Sequence, residues 1–205
     1  VKIGATHCGI STGGDGASHQ SNEDIAITRS FPNMTVLVPG DYEEAKQATI
    51  AAARHTGPVY LRFGRDTYPV VKSIHGPFVI GKAKWLRQGS ALTIMSTGIM
   101  VSEALLAAEI LNEQGYSVAV LHIPTIKPID TGSVLQAARE TGGIVTCEEH
   151  SVIGGLGEAV AGIVSDFHPC RIIRVGMMDR WGEAGNAQEL LEKNGLRSGN
   201  IVAAA

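Results

Sequence analysis

Cysteine is scarce in this chain, and so are aromatic side chains, long apolar runs and any excess of one charge. The three cysteines, Cys8, Cys147 and Cys170, are widely spaced. They make no zinc-ligand spacing and cannot form a complete disulfide set, so a reducing compartment, the cytoplasm, is expected. Cys147 lies in an apolar run and reads as a small core residue. Cys8 follows His7, but a neighbouring His-Cys pair is weak evidence for a nucleophile. Lys and Arg number 17 against 20 Asp and Glu. That balance gives no basic footprint for nucleic acid, and no acidic run suggests a disordered tail. No apolar stretch approaches the roughly 18 residues of a membrane-spanning helix, and no basic-then-apolar leader opens the chain. What remains is a globular composition, 44% hydrophobic over 205 residues, large enough for one or two cores. The first residue is Val, already in what reads as a strand, so the chain is expected to be part of a longer polypeptide.

Glycine is plentiful, and it gathers where chemistry-bearing residues also gather. Thr6 to Asp24 reads T-H-C-G-I-S-T-G-G-D-G-A-S-H-Q-S-N-E-D. The stretch follows a strand-like Val1–Ala5 and leads into a helix, the place where α/β proteins hold ligands. Gly13, Gly14 and Gly16 permit positive φ and close backbone approach. His7, Asp15 and His19 add two proton carriers and an acceptor. A plain surface turn is the competing reading. His7, Cys8, Asp15 and His19 are also zinc-ligand types, but without the tight helical spacing of a metal site, so no metal is expected.

Further along, Ser21 or Asn22 can cap a short helix, with Ile25, Ile27 and Phe31 expected inward. Met34–Val38 reads as a buried parallel strand, and Asp41-x-x-Glu44 opens an Ala-rich helix that stops at Gly57-Pro58. Val59–Phe63 is a strand, with Arg65 just beyond its carboxyl end. Arg65 there can grip a phosphate, or pair with Asp66 at the surface; Arg62 is the weaker candidate. Residues 69–89 lose periodicity and read as a linker with a short hairpin near Phe78–Ala83. After it come strands at Ala91–Met95, Ser117–Leu121, Gly143–Cys147 and Arg171–Val175, alternating with helices. One helix runs from Val101 with Leu105, Leu106, Ala108 and Leu111 at helical spacing. The fold class is therefore α/β, with two mostly parallel βα-type domains: 1–68, the linker 69–89, and 90–205.

Three places in the second half tempt a functional reading. Ser96-Thr97-Gly98 could hold an anion at a helix start, although simple helix capping is favoured. Gly154-Gly155-Leu156-Gly157 resembles a dinucleotide fingerprint only loosely. Glu148-Glu149-His150 could be an acid/base cluster, but adjacent acids at a strand end read more simply as solvated or interfacial.

The H-x11-H spacing with G-G-D-G-A-S-H-Q-S-N-E-D and F-P-N-M-T-V-L-V-P resembles the pyrimidine-side domain of transketolases. That family usually reads G-E-D-G-P-T-H-Q, so Gly14, Ala17 and Ser18 depart, while Asp15, Gly16, His19 and Gln20 fit. K-P-I-D, T-C-E-E-H-S-V-I-G-G-L-G-E-A-V and D-R-W-G-E-A-G with L-L-E-K-N-G-L resemble the family's C-terminal domain, closest to split transketolases.

The resemblance implies a transferase of pentose phosphate metabolism that uses thiamine diphosphate and magnesium (Mg2+) between subunits. By alignment His19 contacts the reacting oxygen, His7 lines the same funnel, Asp15 reads a sugar hydroxyl and Arg65 holds the substrate phosphate. The cofactor-activating glutamate is expected upstream of Val1, and the diphosphate in another domain. This chain alone is thus expected to bind cofactor poorly and to be inactive. Expected partners are sugar phosphate substrates and an N-terminal transketolase subunit, in a homodimer or heterotetramer. Alternatives are a deoxyxylulose-phosphate synthase, a 2-oxo acid dehydrogenase β subunit, or a non-catalytic dimerisation module.

Overall fold

Short runs of β-branched residues closed by Gly or Pro become strands, and the Ala- and Leu-rich stretches between them become helices. The computed structural model describes residues 1–205. In order the elements are β1 (Lys2–Ala5), α1 (Asp24–Ser30), β2 (Thr35–Leu37), α2 (Tyr42–Arg54), β3 (Val59–Arg62), β4 (Lys84–Arg87), β5 (Leu92–Ser96) and α3 (Met100–Glu113). They continue as β6 (Val118–His122), β7 (Thr125–Lys127), α4 (Thr131–Glu140), β8 (Ile144–Ser151), α5 (Leu156–Phe167), β9 (Ile172–Met177), α6 (Ala187–Lys193) and α7 (Ser198–Ala204). No helix is long and apolar enough to cross a membrane.

Two sheets form, each mostly parallel. The first has the order β1-β3-β2-β7, parallel except where β7 joins β2 antiparallel. The second has the order β4-β6-β5-β8-β9, with only β4 antiparallel. β7 comes from the second half of the chain yet completes the first sheet, and one apolar cluster joins Ile25, Val36 and Tyr60 to Leu121, Ile144 and Leu156. The two units therefore share a core.

Several local expectations need correction. Within 69–89 there is no hairpin at Phe78–Ala83; a turn at Ile80–Gly81 feeds β4, an edge strand of the second sheet. In α1 only Asp24, Ile25 and Thr28 are buried, while Ile27 and Phe31 are 54% and 47% exposed. A seven-residue helix has a single inward stripe at i and i+3 or i+4, and Ile27 falls off it. In α3 the inward stripe is Met100, Ala104, Ala107, Ala108 and Leu111, with Leu106 outside. Alanines on that stripe let the helix axis approach the sheet closely.

The helix start at α2 does more than cap. Asp41 accepts from Glu44 N–H at 3.0 Å, but the Glu44 carboxylate accepts from Gly40 N–H instead of closing the box on Asp41. It is fully buried, with His122 of β6 at 2.7 Å and Lys84 of β4 at 2.9 Å. Burial alone would raise its pKa; the His122 and Lys84 contacts and the Gly40 N–H outweigh that and bring it to about 2. The folded carboxyl thus titrates below its ordinary value of 4.5. Its contribution is present above that value and is lost as pH falls from about 4.5 toward about 2. We expect Glu44→Gln to lower stability at pH 7 by roughly 3 kcal/mol and to flatten that acid limb in urea titrations. An unchanged acid limb would remove Glu44 from the coupling.

Candidate functional site

The glycine-rich loop lies across the carboxyl ends of β1 and β3. Cys8 N–H donates to Phe63 O at 3.2 Å, and Gly9 N–H donates to Ser21 O at 2.9 Å, so the loop's two feet are clipped together. Between them Ile10–Asp15 winds as a 3-10 turn, with positive φ at Gly9, Gly13 and Gly16. Gly13 and Gly16 pack against Ala184–Ala187, and a Cβ on Gly13 would crowd the Gly185 carbonyl oxygen. Gln20 Nε2 donates to Ile10 O, Gly13 O and Glu183 O, bracing the loop from inside.

This frame carries His7, Asp15 and His19, and Arg65 reaches it from just beyond β3. Arg65 Nη1 lies 3.2 Å from Asp15 Oδ2 and donates to Thr12 O at 3.0 Å. Arg65 therefore pairs with Asp15, not with its neighbour Asp66. Both partners stay more than a third exposed, at 41% and 37% of their side chains. Arg65 also borders a cavity of about 310 Å³ with Tyr42 and Tyr68. His19 is exposed, with Nδ1 at 3.0 Å from Ser18 Oγ. His7 is half-buried, with Nδ1 at 3.0 Å from Thr6 Oγ1, and has a positive φ of 63°. No hydrogen bond joins either imidazole to Asp15 or Arg65. The loop thus combines an exposed cation–carboxylate pair with two imidazoles, a set suited to gripping an anionic, hydroxyl-rich ligand and moving protons.

Beneath the loop lies a network that the sequence reading undervalued. Arg62, fully buried, donates from Nε to both Asp24 oxygens (3.1 and 2.9 Å). Its Nη2 donates to Ser21 O at 3.1 Å and to Glu149 O at 3.0 Å. Tyr60 Oη donates to Asp24 at 2.7 Å. Burial alone would raise the Asp24 carboxyl; Arg62 and Tyr60 outweigh it and hold it below its ordinary range. Glu148, Glu149 and His150 are not solvated: all three are buried in β8. The signal was present in the sequence, since a charged residue inside an apolar strand run must be buried with partners.

Each of the three has a defined task. Glu148 accepts from Leu156 N–H (2.6 Å) and Gly157 N–H (2.8 Å), filling the N-terminus of α5 with the protein's own carboxylate. Burial nonetheless raises it to about 7. The G-G-L-G turn therefore serves Glu148 and holds no dinucleotide phosphate. His150 is pushed down to about 4 by burial and by Arg62, so it is neutral at pH 7. Its Nδ1 lies 2.7 Å from Ser151 O and its Nε2 accepts from Ala26 N–H, which fixes the tautomer. Its closeness to Asp24 and Glu148 is accordingly not an ion pair. Glu149 accepts from Ser11 N–H at 2.6 Å.

Other expectations resolve simply. Ser96 and Thr97 do not cap α3; Thr97 Oγ1 and Gly98 N–H both donate to Val38 O, docking the turn onto β2's end. Cys8 is buried, and burial pushes its thiol up to about 11, which removes it as a nucleophile. Cys147 is fully buried core. No three His, Cys, Asp or Glu side chains are grouped to hold a metal ion.

This chain matches the family models "Transketolase, pyrimidine binding domain" over residues 1–71 and "Transketolase, C-terminal domain" over residues 81–201. It belongs to the transketolase family. It is 44% identical to the 6-deoxy-6-sulfo-D-fructose transketolase subunit of Clostridium sp. (strain MSTE9), covering 100% of this chain and 64% of that relative. It is 37% identical to an apulose-4-phosphate transketolase subunit of Phocaeicola vulgatus, covering 100% of this chain and 66% of that one. A solved split-gene transketolase, described as an inactive beta4 tetramer, superposes with a TM-score of 0.93 at 45% identity, over 100% of this chain and 65% of its own. The chain thus spans about two thirds of the length of these relatives.

Removing Asp24 leaves the Arg62 guanidinium buried without its counter-charge. Asp24→Ala should cost roughly 3–5 kcal/mol in urea unfolding. A loss below about 1 kcal/mol would mean that the backbone carbonyls alone satisfy Arg62.

Proposed function

We propose that this chain is the substrate-side and dimerisation portion of a thiamine-diphosphate-dependent transketolase that moves a two-carbon ketol unit between sugar phosphates. The observation that carries the reading is the loop itself: in a member of this family His7, Asp15 and His19 share one glycine frame, and Arg65 reaches across to pair with Asp15. Arg65 grips the terminal anion of the sugar, giving up Asp15 as it does so. Asp15 then accepts from a sugar hydroxyl. His19 exchanges a proton with the reacting oxygen, and His7 lines the approach. Holding the sugar at both ends converts a bimolecular encounter into an oriented one.

The side chains present do not fit a magnesium-diphosphate site, because no group of three or more Asp, Glu, His or Cys side chains is gathered to hold a cation. In the complete enzyme the cofactor supplies the carbanion chemistry. The reading assigns its diphosphate and Mg2+ to an N-terminal subunit, and its activating glutamate to residues upstream of Val1. The assembly is then a homodimer or heterotetramer, and this chain alone is inactive. The proposed division is 1–68 and 90–205, with β4 of the 69–89 segment joining the second unit. The name of the Clostridium relative brings in a second donor class, a sugar ending in sulfonate rather than phosphate. Arg65 suits either anion.

The test is turnover by the full native chain with its partner subunit, thiamine diphosphate and magnesium. A ketose phosphate, a sulfonated ketose and pyruvate are offered separately. Turnover of either ketose supports the reading; turnover of pyruvate alone would move it to the synthase or dehydrogenase branch. His19→Ala should lower kcat by about 10²–10⁴-fold, the usual range for a lost general acid–base. Near-wild-type kcat would remove His19 from the mechanism. Arg65→Ala should raise KM for anionic sugars by roughly 10–100-fold, as expected for a lost charge-assisted contact, while barely affecting neutral ones. An equal change for both would argue against an anion contact.

A further inference from the structure

The loop bearing Asp15 and His19 is held by side chains that lie outside it, and one of them comes from the second sheet. Glu149 Oε1 accepts from Ser11 N–H at 2.6 Å, four residues before Asp15. Its main-chain carbonyl accepts from Arg62, which also grips Ser21 O, two residues after His19. The backbone passes so close over the Glu149 carboxylate that a Cβ on Gly9, where φ is +87°, would collide with it. Neither foot of the loop can move without breaking one of these contacts.

Glu149 is an odd choice for mere stability. It is 2% exposed, and Oε2 has no hydrogen-bond partner. The groups around it are Arg62 of β3, Asp24 of α1, Gly9 and Ser11 of the loop, and Tyr68 beyond β3. An apolar side chain would fill this space without a buried, half-satisfied carboxylate. What an apolar side chain cannot do is accept from Ser11 N–H. Ser11 Oγ, Thr12 Oγ1, Gln20 Oε1 and Asn22 Oδ1 are also buried without partners.

We propose that Glu149, seconded by Arg62, is a positioning residue for ketol transfer: from the second sheet it sets the backbone at Ser11 and thereby the orientation of Asp15 and His19 toward the sugar. This rests on the reading of the loop as the substrate site. The second unit of the chain then takes part in catalysis through the loop.

Reach and charge can be separated at this position. Glu149→Gln keeps an acceptor at the same reach and drops the charge. Glu149→Asp keeps the charge but withdraws the acceptor by one methylene, and Glu149→Ala removes both. In the complete two-subunit enzyme, Glu149→Gln is expected within about threefold of wild-type kcat, whereas Asp and Ala lower kcat about 10–100-fold with KM for the anionic sugar changed less than about threefold. Amide exchange in the intact complex supplies the second measurement. Residues 9–15 should exchange at least about tenfold faster in the Asp and Ala variants, with β5 amides unchanged. If Ala does not fold, Asp against Gln decides. Wild-type kcat in the Asp variant, equal losses in Gln and Asp, or unchanged exchange over residues 9–15 would overturn the proposal. Wild-type enzyme inert toward every ketose would instead overturn the ketol-transfer reading, and the exchange data would still report whether Glu149 holds the loop.

Discussion

Arg62 is a permanent cation with no solvent to hold it, and the architecture around the loop follows from that constraint. A buried guanidinium is tolerated only when its donors are met and its charge is balanced. Here balance comes from Asp24 at the start of α1, and the remaining donors go to Ser21 O and Glu149 O. Those partners belong to a helix, a loop and a strand of the other sheet. One side chain therefore fixes the relative positions of β3, α1, β8 and the returning foot of the loop. Tyr60, on the same strand, closes the remaining side of Asp24.

A second polar tie sits some distance along the same junction. Glu44 of α2 meets His122 of β6 and Lys84 of β4, and Asp41 meets His75 and Val71 N–H. Strand β7 passes from the second half into the first sheet, and one apolar cluster draws from both. With two polar networks, an exchanged strand and a common core, the halves are not beads on a linker. The stretch from 69 to 89 reads as a linker because its apolar residues are few and unevenly spaced. Its structure is dictated by partners distant in sequence, which periodicity cannot see.

The same distinction explains what could be read from the chain. The βα alternation and the cap at Asp41 were legible because each is a local rule. His7, Asp15, His19 and Arg65 were singled out by resemblance to a motif, and the structure places them on or against one loop. The pairing of Asp15 with Arg65 was not legible, because it joins residues that meet only in the folded sheet. Ile27 and Phe31 misled because a short helix gives too few positions to define an inward stripe. Glu148, Glu149 and His150 misled because adjacent acids are usually solvated. The apolar residues just before them, and Arg62 inside V-Y-L-R-F, were the available hint that charges there are internal.

Three candidate anion sites compete in this fold, and their energetics separate them. The N-terminus of α5 is filled by Glu148, which two backbone N–H groups hold in place; a ligand phosphate would have to expel a buried carboxylate. The start of α3 is docked on Val38, whose carbonyl oxygen accepts from both Thr97 Oγ1 and Gly98 N–H. Arg65 alone is both cationic and accessible. Its present partner is a half-exposed carboxylate, and such pairs are worth about 1 kcal/mol or less. On the proposed reading, a doubly charged phosphate or a sulfonate gripped by two parallel N–H groups would outcompete that pair and leave Asp15 for the hydroxyls of the same ligand. On the proposed ketol-transfer reading, the Asp15–Arg65 pair holds the two residues in readiness for a sugar without opposing its entry, while the buried Arg62 and Glu149 below hold the loop.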